Sequence, residues 1–335
     1  MLEKMKILVI GCGSIGSRHI RNLKSLGVKE LLACDVRQDR AARISSEHGV
    51  EAVTDMNRAW RSAPEAALIT APTSLHLALA LHAAEQGCHL FIEKPLADGL
   101  NGLEQLLEKV RRKDLVTLVG CNLRFHPGLL RIKSLLEDDA IGKPLSLRAE
   151  FGQYLPDWHP GEDYTANYSA RRDLGGGVIL DAIHEIDYAR WLMGEVTLVA
   201  CLAGKLSRLK IETEDTAALL LRFDSGAFGE IHLDYVQRAY RRTCQIIGEE
   251  GTILWDYAQR EVRWFRAGAK KWKVFRNPSG WQANDMYLDE MRHFLRCLER
   301  TEKPELDVFG AFRDLAIAAA AGNSSAAESF IRIRQ

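Results

Sequence analysis

The stretch Lys6-Ile7-Leu8-Val9-Ile10-Gly11-Cys12-Gly13-Ser14-Ile15-Gly16 decides the first half of the fold. Four apolar residues run directly into G-x-G-x-x-G, and a helical pattern continues from there to Leu26. A buried strand that turns on glycines into a helix is the arrangement that receives a pyrophosphate, because the helix N-terminus offers N–H donors and positive dipole. Gly11 permits the tight turn, Gly13 lets backbone approach the phosphates, Gly16 lets the helix lie close to the sheet, and Ser14 and Ile15 occupy the donor turn. A glycine turn alone is common. Here an acid, Asp35, also ends the next strand, 19 positions after Gly16, where its carboxylate can accept ribose hydroxyls and repel the 2′-phosphate of NADP. NAD is therefore the expected cofactor. Arg37 and Arg40 follow closely and offer that phosphate a clamp, so NADP stays open.

Working outward, residues 6–122 alternate short apolar runs with helical patterns, the rhythm of a parallel doubly wound sheet. Beyond about residue 145 long alternating runs take over, separated by turn signals such as Asp224-Ser225-Gly226, as in a mainly antiparallel sheet. The expected class is α/β: an N-terminal Rossmann domain over 1–122, and over 123–335 a C-terminal α+β domain with a large open sheet. The segments 122–137 and 177–193 read as helices, and 285–299 and 307–321 as a helical C-terminus.

Composition narrows the partners. Lys plus Arg and Asp plus Glu are equal at 45 each in 335 residues, so no net field draws in nucleic acid or an anionic membrane. No apolar run approaches the roughly 20 residues that span a bilayer. Seven cysteines are scattered without a C-x-x-C pair, which suits reduced thiols and a cytoplasmic protein with no metal site.

Two further clusters carry chemistry. In Phe91-Ile92-Glu93-Lys94-Pro95 a lysine closes a strand at the carboxyl edge of the sheet, where ligands sit in open α/β folds. Desolvation beside a cationic ring would lower its pKa and make it a usable acid or base. In the run from Gly175 to Gly194, Asp181, His184 and Asp187 recur at three-residue spacing. On one continuous helix they share a face, so two carboxylates can orient one imidazole.

With these on the page, the sequence resembles the Gfo/Idh/MocA family, the glucose-fructose oxidoreductase and inositol dehydrogenase superfamily. The glycine fingerprint, Ala71-Pro72-Thr73-Ser74-Leu75-His76, Glu93-Lys94-Pro95, Gly120-Cys121-Asn122-Leu123-Arg124-Phe125 and the Gly175-to-His184-to-Gly194 stretch occur in the family's order across essentially the whole chain. The resemblance implies hydride transfer, a second domain that commonly builds homodimers or homotetramers, Lys94 as catalytic lysine and His184 as substrate-binding acid/base. It also implies that Thr70, Pro72, Thr73, His76, Glu93 and Asn122 line the cofactor or cleft. Many members place the aspartate four residues before the histidine. Here Leu180 holds that position and Asp181 stands three before, as the nearest equivalent.

The aperiodic, aromatic stretch 154–173 is the expected substrate loop, with Trp158, Tyr164 and Tyr168 stacking on a sugar or polyol and Arg124 available to an anionic group. It resembles a W-H-P-x-x-D-Y loop of a branch associated with bacterial surface-sugar pathways. Two other readings remain: a bound-NAD elimination or glycoside cleavage on the same scaffold, and a non-catalytic NAD-binding sensor. The joint presence of Lys94 and His184 argues against the sensor.

Overall fold

The computed structural model describes residues 5–158, 161 and 163–333. By internal contacts the residues up to Asn122 form one compact unit with Ala283–Phe312, while Leu123–Gln282 and the residues from Arg313 form the other. Ala283–Phe312, late in the chain, thus packs within the first unit.

In the first unit, strands β1 (Ile7–Ile10), β2 (Leu31–Cys34), β3 (Glu51–Val53), β4 (Ala66–Ile69), β5 (His89–Glu93) and β6 (Thr117–Gly120) pair in parallel in the order β3-β2-β1-β4-β5-β6. This is the doubly wound dinucleotide-binding order, with its switch point beside β1. Strand β1 is apolar throughout because both faces are covered. Ile7 and Val9 pack with Ile20, Leu23, Phe91, Phe294 and Leu298, while Leu8 and Ile10 pack with Leu32, Cys34 and Val53. The late helix Ala283–Leu298 explains the return of the chain: Phe294 meets Phe91 edge-on at 5.6 Å, and each such fully buried aromatic stabilises by about 1.5–3 kcal/mol.

In the second unit, β7 (Pro144–Gly152), β8 (Val196–Gly204), β9 (Thr216–Phe223), β10 (Phe228–Asp234), β11 (Arg241–Gly248), β12 (Gly251–Asp256), β13 (Glu261–Arg266), β14 (Lys271–Arg276) and β15 (Ile331–Arg332) form one sheet in the order β14-β13-β12-β11-β7-β10-β9-β8-β15. All neighbours are antiparallel except β7 and β10. Leu147, Ala149, Phe151, Leu219, Leu221, Ile231 and Leu233 alternate onto the buried face, and the helix Ile183–Met193 packs on β7 and β10.

Two expected helices are interrupted. Asn122–Phe125 is a 3₁₀ turn, after which His126 caps the helix Pro127–Glu137 by accepting the Gly128 N–H at Nδ1 (2.9 Å). Pro127 at the first helical position disfavours helical backbone at His126 and so breaks the run. The segment from Gly177 is likewise two pieces, Val178–Asp181 and Ile183–Met193, separated at Ala182 (φ −95°, ψ 32°). Asp181 and His184 therefore do not share one regular helix face, which corrects the spacing argument above.

Candidate active site

In the first unit the glycines do distinct jobs. Gly11 has φ +96°, and a Cβ there would lie 2.7 Å from the Ala71 nitrogen; one on Gly16 would lie 2.0 Å from the Gly11 carbonyl oxygen. A Cβ on Gly13 would meet nothing within 4 Å, so open space stands over the turn that heads the helix Ser14–Ser25. That helix has no side-chain cap and no acid in its first turn, which leaves its first N–H groups for an anion. Asp35, 6% exposed, holds the loop rigid: Oδ2 accepts the Cys12 N–H at 2.7 Å and Oδ1 the Arg37 N–H at 2.9 Å. A carboxylate has about four acceptor positions, so lone pairs remain for ribose hydroxyls. The Cys12 thiol is pushed up to about 12 by burial and by Asp35, so it stays protonated and inert. Arg37 is exposed and forks onto Asp39 at 2.7 and 3.1 Å, and Arg40 stands 3.9 Å from Asp35. An open cradle, uncapped donors and a fixed acid fit a dinucleotide.

Several residues expected along the cofactor are turned inward instead. The Thr70 hydroxyl lies 2.6 Å from the Gly11 carbonyl and 3.0 Å from that of Ile10, tying down the glycine turn. His76 is 1% exposed, with Nδ1 2.8 Å from the Pro95 carbonyl and Nε2 2.8 Å from that of Ala71. Burial lowers its pKa, against the two carbonyls, which favour the protonated ring. Glu93 accepts from His19 Nε2 at 2.6 Å and from the Lys94 N–H at 3.2 Å. These three side chains hold backbone in place. Pro72 is exposed, whereas Thr73 in the adjoining 3₁₀ turn and Asn122 are buried. Lys94 stands one residue past the end of β5, half-buried, and its peptide bond to Pro95 is cis.

In the second unit His184, 8% exposed, lies in the first turn of Ile183–Met193. Asp181 is held by hydroxyls: Oδ1 accepts the Tyr168 hydroxyl at 2.5 Å, and Oδ2 accepts Ser169 Oγ at 2.6 Å and the Tyr235 hydroxyl at 3.0 Å. Burial and Asp181 push the Tyr235 pKa well up, so that hydroxyl remains a donor. Asp187 is engaged by Arg124 in a buried fork at 2.7 to 3.1 Å. A buried bidentate pair of this kind is costly to open.

The loop after Tyr154 is latched to the glycine run. A Cβ on Gly176 would lie 2.2 Å from the Tyr168 carbonyl and 2.7 Å from that of Ser169, and Gly177 (φ +119°) presses on the Glu214 carboxylate. Tyr164 accepts the Lys210 N–H at 3.2 Å. Trp158 donates to the Gln153 carbonyl at 3.3 Å and stacks edge-on with Phe151 and Tyr235. His159, Pro160 and Glu162 of this loop lie outside the described residues. Arg171 and Arg172 turn to Asp173 and the Glu212 carbonyl. Arg242 lies over the Phe151 ring with Nε 2.9 Å from Glu185.

A groove of about 930 Å³ runs over the outer face of the second sheet, lined by none of the candidate catalytic residues. Asp234, at the end of β10, is buried and accepts the Val236 and Gln237 N–H groups at 2.8 and 2.6 Å. Among the described residues no group of three or more His, Cys, Asp or Glu is placed to hold a metal, and no helix is long and apolar enough to cross a membrane.

Sequence reasoning had singled out neither His19 nor Tyr235. His19 sits three residues after Gly16, and alternation along β10 puts Tyr235 on the inner face, but neither signal says which acid it reaches.

A nucleotide cradle on a doubly wound sheet with a lysine just past a strand end defines a dinucleotide-dependent oxidoreductase. Residues 5–121 match the model of the oxidoreductase family with an NAD-binding Rossmann fold, and 129–254 match the GFO/IDH/MocA C-terminal domain. The chain belongs to this Gfo/Idh/MocA family and is an NAD-dependent dehydrogenase. It is 30% identical over 316 residues to a myo-inositol 2-dehydrogenase of Thermotoga maritima, covering 90% of each chain. A scyllo-inositol 2-dehydrogenase (NAD(+)) of Bacillus subtilis is 27% identical over 97% of this chain and 95% of its own. The solved structure of levoglucosan dehydrogenase with NADH and levoglucosan superposes with a TM-score of 0.89 at 23% identity, covering 99% of this chain and 100% of that one. At that identity the likeness concerns the fold.

Proposed function

We propose that the enzyme oxidises a secondary alcohol of a sugar, amino sugar or cyclic polyol to the ketone, or runs the reverse. The observation that carries this is Lys94, held one residue past β5 at the carboxyl edge of a sheet whose glycine turn opens an uncapped helix N-terminus. Gly13, Ser14 and Ile15 would hold the pyrophosphate of NAD and Asp35 the ribose. Held there, NAD would supply the acceptor for the hydride that leaves the carbinol carbon.

What remains is the hydroxyl proton, for which the family motifs offer two groups, Lys94 and His184. Lys94 accepts the proton as the C–H bond breaks, and His184 bonds the hydroxyl and shares the proton load. A positioned group of this kind contributes about 10²- to 10⁴-fold in rate. Asp181, held by three hydroxyls, positions the loop bearing Tyr168 and Ser169. Trp158 supplies an apolar face for a sugar ring. The relatives named for inositols support a cyclic polyol, and the loop's resemblance to the surface-sugar branch supports an amino or nucleotide sugar. The outer sheet face, with Leu202, Leu220 and Phe330 exposed, is proposed as the contact of a homodimer or homotetramer.

The test is NADH formation, followed at the nicotinamide absorbance band, across myo-inositol, scyllo-inositol, levoglucosan, amino sugars and nucleotide sugars, with NADP run in parallel. Turnover of at least one alcohol with NAD, lowered about 10²- to 10⁴-fold in Lys94→Met, is the expected result. Catalysed β-elimination or glycoside cleavage without net NADH would overturn it.

A further inference from the structure

Two buried histidines flank the Glu93-Lys94-Pro95 turn, and the chemistry derived above uses neither. His19, in the helix Ser14–Ser25, is fully buried, with Nε2 2.6 Å from Glu93 Oε1. Its Nδ1 is also buried and meets no hydrogen-bond partner among the described residues. A stranded N–H is rarer in protein interiors than a stranded acceptor, so the proton belongs on Nε2, which donates to Glu93. Glu93 Oε2 in turn accepts the Lys94 N–H at 3.2 Å. A Cβ on Gly120 would lie 3.1 Å from the Glu93 carboxyl, so the carboxylate is pressed against β6 with little room to swing. Phe91 and Tyr287 close on the His19 ring edge-on at 5.0 and 6.1 Å. On the far side of the lysine, His76 stands 2.8 Å from both the Pro95 and the Ala71 carbonyls.

The fold does not need these contacts to keep β5 in its sheet. Four residues of β5 pair with β4 and four with β6. What the histidines hold is the chain immediately past the strand, where ladder pairing has ended and a lysine with a long flexible stem begins. An error of about 1 Å in the placement of a reacting group costs on the order of 10²-fold in rate, so a brace at this point has a catalytic consequence.

We propose that His19, through Glu93, and His76, through the Pro95 carbonyl, are positioning residues that fix the main chain on either side of Lys94 and so aim its amine. The inference rests on the reading of Lys94 as the group that takes the hydroxyl proton. His19 also ties the helix of the glycine turn to the lysine, so the element that receives the cofactor and the one that carries the base are fixed to each other within the first unit.

The experiment is a double-mutant cycle in the full chain, with NAD and the alcohol of the above panel that the wild type oxidises fastest. His19→Leu and His76→Leu are each expected to lower kcat about 10- to 100-fold, with KM and the NAD dissociation constant within about twofold. His19→Gln, which returns an N–H near the Nε2 position, should recover most of kcat. In a Lys94→Met background neither leucine substitution should lower the residual turnover further. Equal losses in both backgrounds, or losses confined to KM and NAD affinity, would overturn the proposal. If a leucine variant fails to fold, Glu93→Gln replaces it, with the same kcat loss expected and wild-type kcat as the contrary outcome. Near-normal turnover by Lys94→Met sinks the reading of Lys94 itself, whereas an inactive Lys94→Met beside fully active His19→Leu and His76→Leu sinks only the brace.

Discussion

Asp35 and Asp181 are buried almost equally, at 6% and 5% exposure, yet they are held by opposite means. Asp35 is fixed by main-chain N–H groups of Cys12 and Arg37, which any side chains would supply. Asp181 is fixed by the hydroxyls of Tyr168, Ser169 and Tyr235, the last 54 residues away along the chain. The first arrangement follows from local backbone and leaves lone pairs for a ligand. The second consumes the carboxylate in side-chain bonds and ties a loop, a helical turn and a strand together. A backbone-held acid is suited to binding, and a side-chain-held acid to architecture.

The sharpest way to break this contrast is to remove each acid. Asp181→Ala strands the buried hydroxyls of Ser169 and Tyr235 and the half-buried one of Tyr168, and a buried hydroxyl left unpaired costs about 1 kcal/mol or more, so stability should fall by roughly 2 to 3 kcal/mol, read in denaturant melts. Asp35→Ser strands one buried donor, the Cys12 N–H, so it should cost about 1 kcal/mol in the melt, and it should weaken NAD about tenfold, roughly 1.4 kcal/mol, with NADP affected less. If titration finds that the wild type already prefers NADP, Asp35 is not the determinant and Arg37 becomes the candidate despite its pairing with Asp39.

That contrast also explains what the sequence disclosed. Strand β1, the glycines and Asp35 were legible because each contributes through backbone geometry at fixed spacing, as does the ladder order that follows from βαβ rhythm. Lys94 and His184 were legible through the family motifs around them. The partners of Asp181 and Asp187 were not, because Tyr235 and Arg124 reach them from distant segments, and the break at Ala182 leaves a three-residue spacing without its usual meaning. Likewise Glu93, Thr70 and His76 carry motif positions whose side chains turn inward, and the return of Ala283–Phe312 to the first unit depends on Phe294 meeting Phe91, which no local pattern announces.

Two smaller effects sharpen the comparison. Tyr235→Phe removes one of the three bonds on Asp181 without changing shape, and should cost about 1 kcal/mol, with NAD affinity untouched. On the outer sheet face, the hydrogen bond to Asp234, partly opposed by burial, raises the pKa of His232, with Glu150 adding to the rise. A raised folded value means that this contribution is complete below the unfolded value of about 6.5 and is lost as pH climbs through the folded value. The pair is half-exposed, so the effect is under about 1 kcal/mol. Melts between pH 6 and pH 9 should show a small decline that His232→Gln flattens, and an identical slope in the variant would remove the pair from the account.

The central claim is that Lys94 and His184 serve one proton-handling step, and the most direct measurement is the turnover of Lys94→Met, His184→Ala and the double variant on one confirmed alcohol. Each single substitution should lower kcat by about 10²- to 10⁴-fold with NAD affinity nearly intact, and His184→Ala should also raise KM. The double variant should be little worse than the weaker single one, because groups acting in one step are far from additive. Fully multiplicative losses, or near-normal turnover by Lys94→Met, would contradict the account.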